Sequence, residues 1–270
     1  MKNYYNYIKE NSFDIVNMIY DQDYDAVKTY LENGGDVNHT TNSDISLLMI
    51  SIDIKKKNTV SDITNLLLDN GADIHIFDHR NWSALNYAIY RNKKDIVFRL
   101  IDMGIELNNR VHINKNHSLI QSITNIKSTL ETKNPDDSIF LKLLEQDRLD
   151  INIKNNNNEN ALSICVISSL FNNAKILIEK GADITLKYMY QQYNLLILLS
   201  RSVLFYNYDF FNGVEFVFYL CDKAVEQNHI FDIDDEFLIN MKYRKEEWIE
   251  RYPDMYQKYL KNKKASEFNL

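Results

Sequence analysis

Apolar positions along this chain fall in short helical stripes rather than in the alternation of half-buried strands. In DAVKTYLENG (Asp25–Gly34) and DIVFRLIDMG (Asp95–Gly104) apolar side chains sit at i, i+1, i+4 and i+5, one face of a helix, and NAKILIEKG (Asn173–Gly181) aligns with both. A second set of stripes alternates with these: ISLLMISI (Ile45–Ile52), SALNYAIY (Ser83–Tyr90), HSLIQSIT (His117–Thr124), NALSICVI (Asn160–Ile167) and YNLLILLS (Tyr193–Ser200). The pattern predicts paired helices with short connections.

The turn that closes each pair also repeats. It reads LENGGDVN (Leu31–Asn38), LDNGADIH (Leu68–His75), IDMGIELN (Ile101–Asn108), LEQDRLDIN (Leu144–Asn152) and IEKGADIT (Ile178–Thr185). Glycine at the end of an apolar helix suits the left-handed conformation of a C-cap. The fourth copy has Asp147 there and one extra residue. Successive copies lie 37, 33, 43 and 34 residues apart, from Gly34 through Gly71, Gly104 and Asp147 to Gly181. A period of this length marks a fold of stacked repeats.

On these residues the chain resembles the ankyrin-repeat family. The best copy, NWSALNYAIYRNKKDIVFRLIDMGIELN (Asn81–Asn108), matches the family pattern at Leu85, Ala88, Ile96, Val97, Leu100 and Gly104, with Ser83 in place of threonine. The resemblance covers roughly residues 13–225. It implies an all-α solenoid of about six helix-turn-helix repeats, at about 13–42, 43–80, 81–115, 116–157, 158–191 and 192–231. An N-terminal cap (1–12) and a C-terminal helical cap or tail (232–270) flank them. The family's proline is missing from every copy, and its histidine is replaced by Asn86, Leu48, Ile120, Ser163 or Leu196. Fewer hydrogen bonds between turns, and a less regular stack, are expected. Repeats 2, 4 and 6 carry extra residues between their helices (IKKKNT, STLETKNPDD and FYNYDFFN), which points to loops on one face.

Composition narrows the function. Apolar residues make up 45% of the 270, enough for a core, while six glycines and two prolines are too few for a turn-rich β fold. A net charge of −7 leaves no broad basic face for nucleic acid. Cys165 and Cys221 form no disulfide framework, the N-terminus has no secretory signal, and LLILL (Leu195–Leu199) is too short to span a membrane. A cytoplasmic monomer is expected, in an AT-rich genome given the abundance of Asn, Ile, Lys and Tyr. The setting could be host cytoplasm.

No catalytic constellation, cofactor motif or metal set emerges. His75 and His79 have a ligand-like spacing but fall in a hairpin, where they do not share a face. The chain is expected to be a non-enzymatic module that binds a protein partner. By resemblance, contacts come from hairpin tips and the edge of each first helix. These positions are His79, Arg80, Trp82, Tyr90 and Arg91 in repeat 3, Asn156, Asn157 and Glu159 in repeat 5, and Met189, Tyr190 and Gln192 before repeat 6. Trp, Tyr and Arg dominate interface hot spots. Trp82 either meets a partner or folds back over a neighbouring hairpin and seals an irregular junction. Asn38 and Asn108 sit where some ankyrin proteins are hydroxylated, and a structural hairpin role is the other reading. Phe237, Met241, Trp248 and Tyr252 predict one capping helix ended by Pro253, and Met255 and Tyr259 a second. The alternative is an adaptor whose tail recruits a second protein such as degradation machinery.

Overall fold

The computed structural model describes residues 12–54, 60–109, 117–129, 136–187, 194–199, 210–241 and 244–267. Their regular structure is helical, apart from one isolated antiparallel bridge between Thr40 and Ser46. The expected all-α repeat fold holds. The insertions of repeats 2, 4 and 6 fall largely outside the described residues, as does the lysine run Lys55–Lys57.

The chain divides into two compact units, Met1–Leu149 and Asp150–Leu270. The first holds α1 (Ser12–Asp21), α2 (Tyr24–Glu32), α3 (Leu47–Asp53), α4 (Val60–Asp69), α5 (Ala84–Tyr90), α6 (Lys94–Asp102), α7 (Ser118–Thr129) and α8 (Ser138–Leu144). They pair in order, α1 with α2 through α7 with α8. The first helices stack in series through α1, α3, α5 and α7, and among the second helices α2 packs on α4 and α6 on α8. The stripes explain this. Leu85, Ala88, Ile96, Val97 and Leu100 are all buried, and their counterparts Leu47, Leu48, Ile63 and Leu67 line the same core.

The second unit holds α9 (Ala161–Ile167), α10 (Phe171–Glu179), a helical segment at 195–199, α11 (Phe210–Glu226), α12 (Asp235–Asn240), α13 (Lys245–Arg251) and α14 (Pro253–Glu267). Helix α9 pairs with α10, and α10 packs on α11. The tail therefore forms three helices, not two. Phe237 lies on a short helix that ends in Met241 as its cap, and Trp248 lies on the next one, which begins after Arg244. Pro253 does open the last helix, where its missing N–H costs nothing, and buries Met255 and Tyr259 behind it.

The hairpin motif closes as its sequence suggests. Gly34, Gly71, Gly104 and Gly181 have φ of 83°, 81°, 89° and 91°. In each, the residue after glycine donates its N–H to a carbonyl five residues back, as Ile105 does to Leu100 at 3.1 Å, which ends the helix. The acidic residue that follows accepts the N–H two residues on. Asp36, Asp73, Glu106, Asp150 and Asp183 all do so, at 2.7–3.0 Å. Asn38 and Asn152 then accept the backbone N–H of Asp73 and Asp183 in the following hairpin, at 2.7 and 2.9 Å. Asn108 donates to the Arg148 carbonyl at 2.8 Å. Asn38 and Asn108 thus tie neighbouring hairpins together.

Candidate interaction surface on the third repeat

Between one hairpin and the next first helix lies a short loop, and its frame recurs three times. Residues Thr41, Asp78 and Asn155 start it, each donating its N–H to the carbonyl four residues on, that of Ile45, Trp82 and Glu159, at 3.0, 3.0 and 2.8 Å. The side-chain oxygen of each starter accepts two N–H groups from the loop. For Asp78 these are Arg80 at 2.9 Å and Trp82 at 2.8 Å; for Asn155, Asn157 at 2.9 Å and Glu159 at 3.0 Å; for Thr41, Ser43 and Ile45 at 3.3 Å. The fourth residue turns the chain with positive φ: Asp44 at 59°, Asn81 and Asn158 at 62°. The helix cap follows, Ser46, Ser83 or Asn160.

The missing family histidine is partly replaced. Ser83 and Asn86 form a reciprocal capping box, and Asn86 Nδ2 reaches Gln121 Oε1 of the next repeat at 3.2 Å. Asn160 and Ser163 make the same box in the fifth repeat. Of the two, the bond from Asn86 to Gln121 restores a tie between neighbouring repeats, and the repeat 5 box caps its own helix.

In repeat 3 the frame carries a cluster of aromatic and cationic side chains. Asp78 is buried, and its second oxygen accepts from Arg80 Nη2 at 3.1 Å and from the Tyr87 hydroxyl at 2.9 Å. Arg80 Nη2 also donates to that hydroxyl, at 2.7 Å. Burial, then the Asp78 carboxylate, push Tyr87 up to about 12. Trp82 stands on this triad. Its ring meets Tyr87 edge-on at 5.2 Å and Tyr90 at 5.6 Å, with the Arg80 guanidinium 5.1 Å from its centroid. Arg91 lies 5.0 Å from the Tyr90 ring and pairs with Asp53 at 2.8 Å.

So the structure brings Arg80, Trp82, Tyr90 and Arg91 together. His79 points elsewhere: its Nδ1 lies 3.1 Å from the Ser43 carbonyl in the preceding loop. Trp82 is half-buried with its ring against Tyr87 and Tyr90 of its own repeat, and its indole N–H is buried without a hydrogen-bond partner. Tyr90 is 54% exposed at the end of the stack. Two participants were not visible as site residues in the sequence, Asp78 and Tyr87. The recurring polar starter, four residues before Ile45, Trp82 and Glu159, was the signal that could have found Asp78.

Among the described residues of repeat 5 no such aromatic and cationic cluster stands on the loop. Asn156 and Asn157 are exposed, and Glu159 accepts from Asn155 Nδ2 at 2.9 Å. Met189, Tyr190 and Gln192 lie outside the described residues. Both cysteines are buried, with their thiols pushed up by burial, Cys221 to about 12. Among the described residues no group of three or more His, Cys, Asp or Glu is placed to hold a metal ion, and no helix is long and apolar enough to cross a membrane.

Comparison with known proteins agrees with this architecture. Residues 15–111 match the family model for ankyrin repeats (3 copies), so that segment is built of ankyrin repeats. Ankyrin repeats are protein–protein interaction modules. The chain also resembles a chain in the structure of the Bd0816 predatory endopeptidase from Bdellovibrio bacteriovorus in complex with immunity protein Bd3460. That match has 20% identity and a TM-score of 0.56, and covers 76% of this chain and 96% of the other. At that identity the likeness concerns the fold. No curated protein gave a match.

Proposed function

We propose that this protein is a non-enzymatic module that binds a protein partner through the Arg80–Trp82–Tyr90–Arg91 cluster of its third repeat. One observation carries the reading: Tyr90 is exposed at the tip of a stack whose lower members are already held in place by Asp78. Trp, Tyr and Arg in a pre-ordered patch are the residue types on which interface energy concentrates. The exposed Asn156 and Asn157 loop of repeat 5 is a separate, weaker candidate.

Tyr90→Ala is the clean test. Its loss removes an exposed ring and should weaken partner capture by about 2 kcal/mol, while urea unfolding stays within about 0.5 kcal/mol of wild type. Affinity purification from the native source reads the first quantity. A folded Tyr90→Ala protein that keeps every partner sinks this surface.

The geometry of the tail supports a cap in place of a recruiting arm. Trp248 is fully buried, with its indole nitrogen 3.4 Å from Cys221 Sγ and its ring edge-on to Phe237 at 5.0 Å. The Tyr252 hydroxyl donates to Asp222 at 2.7 Å, and Arg251 pairs with the same carboxylate at 2.7 Å. Arg244 pairs with Glu215 and sits 4.3 Å from the Phe218 ring centroid. These side chains are committed to α11. Removing Asp232–Leu270 should therefore give an aggregating protein, whereas a folded truncation that loses only a second partner would favour the adaptor.

A further inference from the structure

The outer face of the first unit carries a ladder of ion pairs between successive second helices. Arg99 on α6 reaches back to Asp69 on α4, and Lys142 on α8 reaches back to Asp102 on α6. The two rungs are equivalent in register. Each acceptor lies two residues before the turn position (Gly71, Gly104), and each cation five before it (Gly104, Asp147). The same register at the first junction pairs Glu32, two before Gly34, with Leu66, five before Gly71. Among the described residues Glu32 has only the exposed Lys28 of its own helix, at 3.8 Å, and no cation stands at the α4 position that would reach back to it.

A groove of about 370 Å³ opens at this junction, lined by Tyr24 of α2 and by Asp62, Asn65, Leu66 and Asp69 of α4. Those four α4 residues stand at i, i+3, i+4 and i+7, one stripe of the helix. Arg99 shows what the groove wall can hold. Its guanidinium bonds Asn65 Oδ1 at 2.6 Å and Asp69 Oδ1 at 2.5 Å. Tyr24, 40% exposed, lines the groove on the α2 side. Asp21, Asp23, Asp25, Glu32, Asp62 and Asp69 outnumber Lys28 and Arg99 across α1–α2, α4 and the guanidinium from α6. With Asp69 already holding Arg99, the Asp62 carboxylate beside the exposed Tyr24 ring suits a guanidinium or ammonium group.

We infer that this groove docks a basic segment of a partner protein, one of whose Arg or Lys side chains enters beside Leu66 and Asp62 and completes the missing rung. This surface is on the second-helix face, and its argument does not depend on the Trp82 cluster.

The test uses the full chain and a fluorescein-labelled peptide of alternating arginine and glycine, with the alternating glutamate–glycine peptide as control. Fluorescence anisotropy at low salt should show saturable binding of the arginine peptide only, weakened by added salt. Leu66→Arg supplies the chain's own rung to Glu32 and should abolish binding with the thermal midpoint unchanged or raised. Asp62→Asn, at an exposed position that leaves folding intact, should weaken binding about fivefold. Absence of binding to the wild-type chain overturns the inference. So does equal binding by wild type and Asp62→Asn, which would mean diffuse attraction to an acidic protein.

Discussion

The loops at 78–83 and 155–160 share one backbone and differ in what stands on it. Both start with a polar residue that accepts two loop N–H groups, both turn at an asparagine with φ of 62°, and both end in a capping box. Asp78, however, also holds Arg80 and Tyr87, and Trp82 rests on them, whereas the Asn155 amide donates to Glu159. The frame is thus a property of the fold, and the side chains at the free positions decide whether a loop becomes a surface worth binding. An aspartate in the starter position adds a charge that can anchor a guanidinium. An asparagine satisfies the backbone equally well but brings no charge.

That comparison can be broken at its starter residues. Asp78→Ala should cost about 2–4 kcal/mol in urea unfolding, because it orphans the buried Tyr87 hydroxyl and the Arg80 guanidinium along with the loop. Asn155→Ala removes the same loop bonds without those dependants, and about 1 kcal/mol is expected. Equal losses would show that the cluster adds nothing to the frame. Next in size is Trp82→Ala. Its ring is half-buried between Tyr87 and Tyr90, so about 2 kcal/mol of stability should go with it. A binding defect in that variant therefore has to be read beside Tyr90→Ala.

The smallest effect is a matter of pH. Tyr87 titrates near 10 when unfolded and is raised to about 12 in the folded chain. Its contribution is present in full below pH 10 and is lost as the pH climbs toward 12, because the unfolded state then releases the proton first. The fall in thermal midpoint across that window should be shallower in Tyr87→Phe than in wild type.

Much of this was legible in the sequence, for a physical reason. The helical stripes are core contacts and the acidic-x-Gly turns are helix ends, so both follow from residues close together along the chain. The tail was misread because Met241 and Trp248 are seven residues apart, a spacing that two turns of one helix would also satisfy. The positions of Trp82 and Tyr90 on a surface strip were legible from register. What Trp82 touches was not, since it depends on Asp78 fixing Arg80 and Tyr87 beneath it. The replacement of the family histidine by Asn86 was also hidden, because its partner Gln121 lies in another repeat.

The residues of positive φ carry a last consequence. Among the described residues, besides the four turn glycines, seven others take that conformation, and four of them are asparagine: Asn81, Asn92, Asn158 and Asn228. Asparagine is among the few side chains that tolerate this region, and its codons are rich in A and T where those of glycine are rich in G. Drift in base composition can therefore exchange one residue for the other at each bend while the path of the chain stays the same. Letters diverge faster than the trace they encode, as a 20% identity spread over 96% of a structural neighbour illustrates.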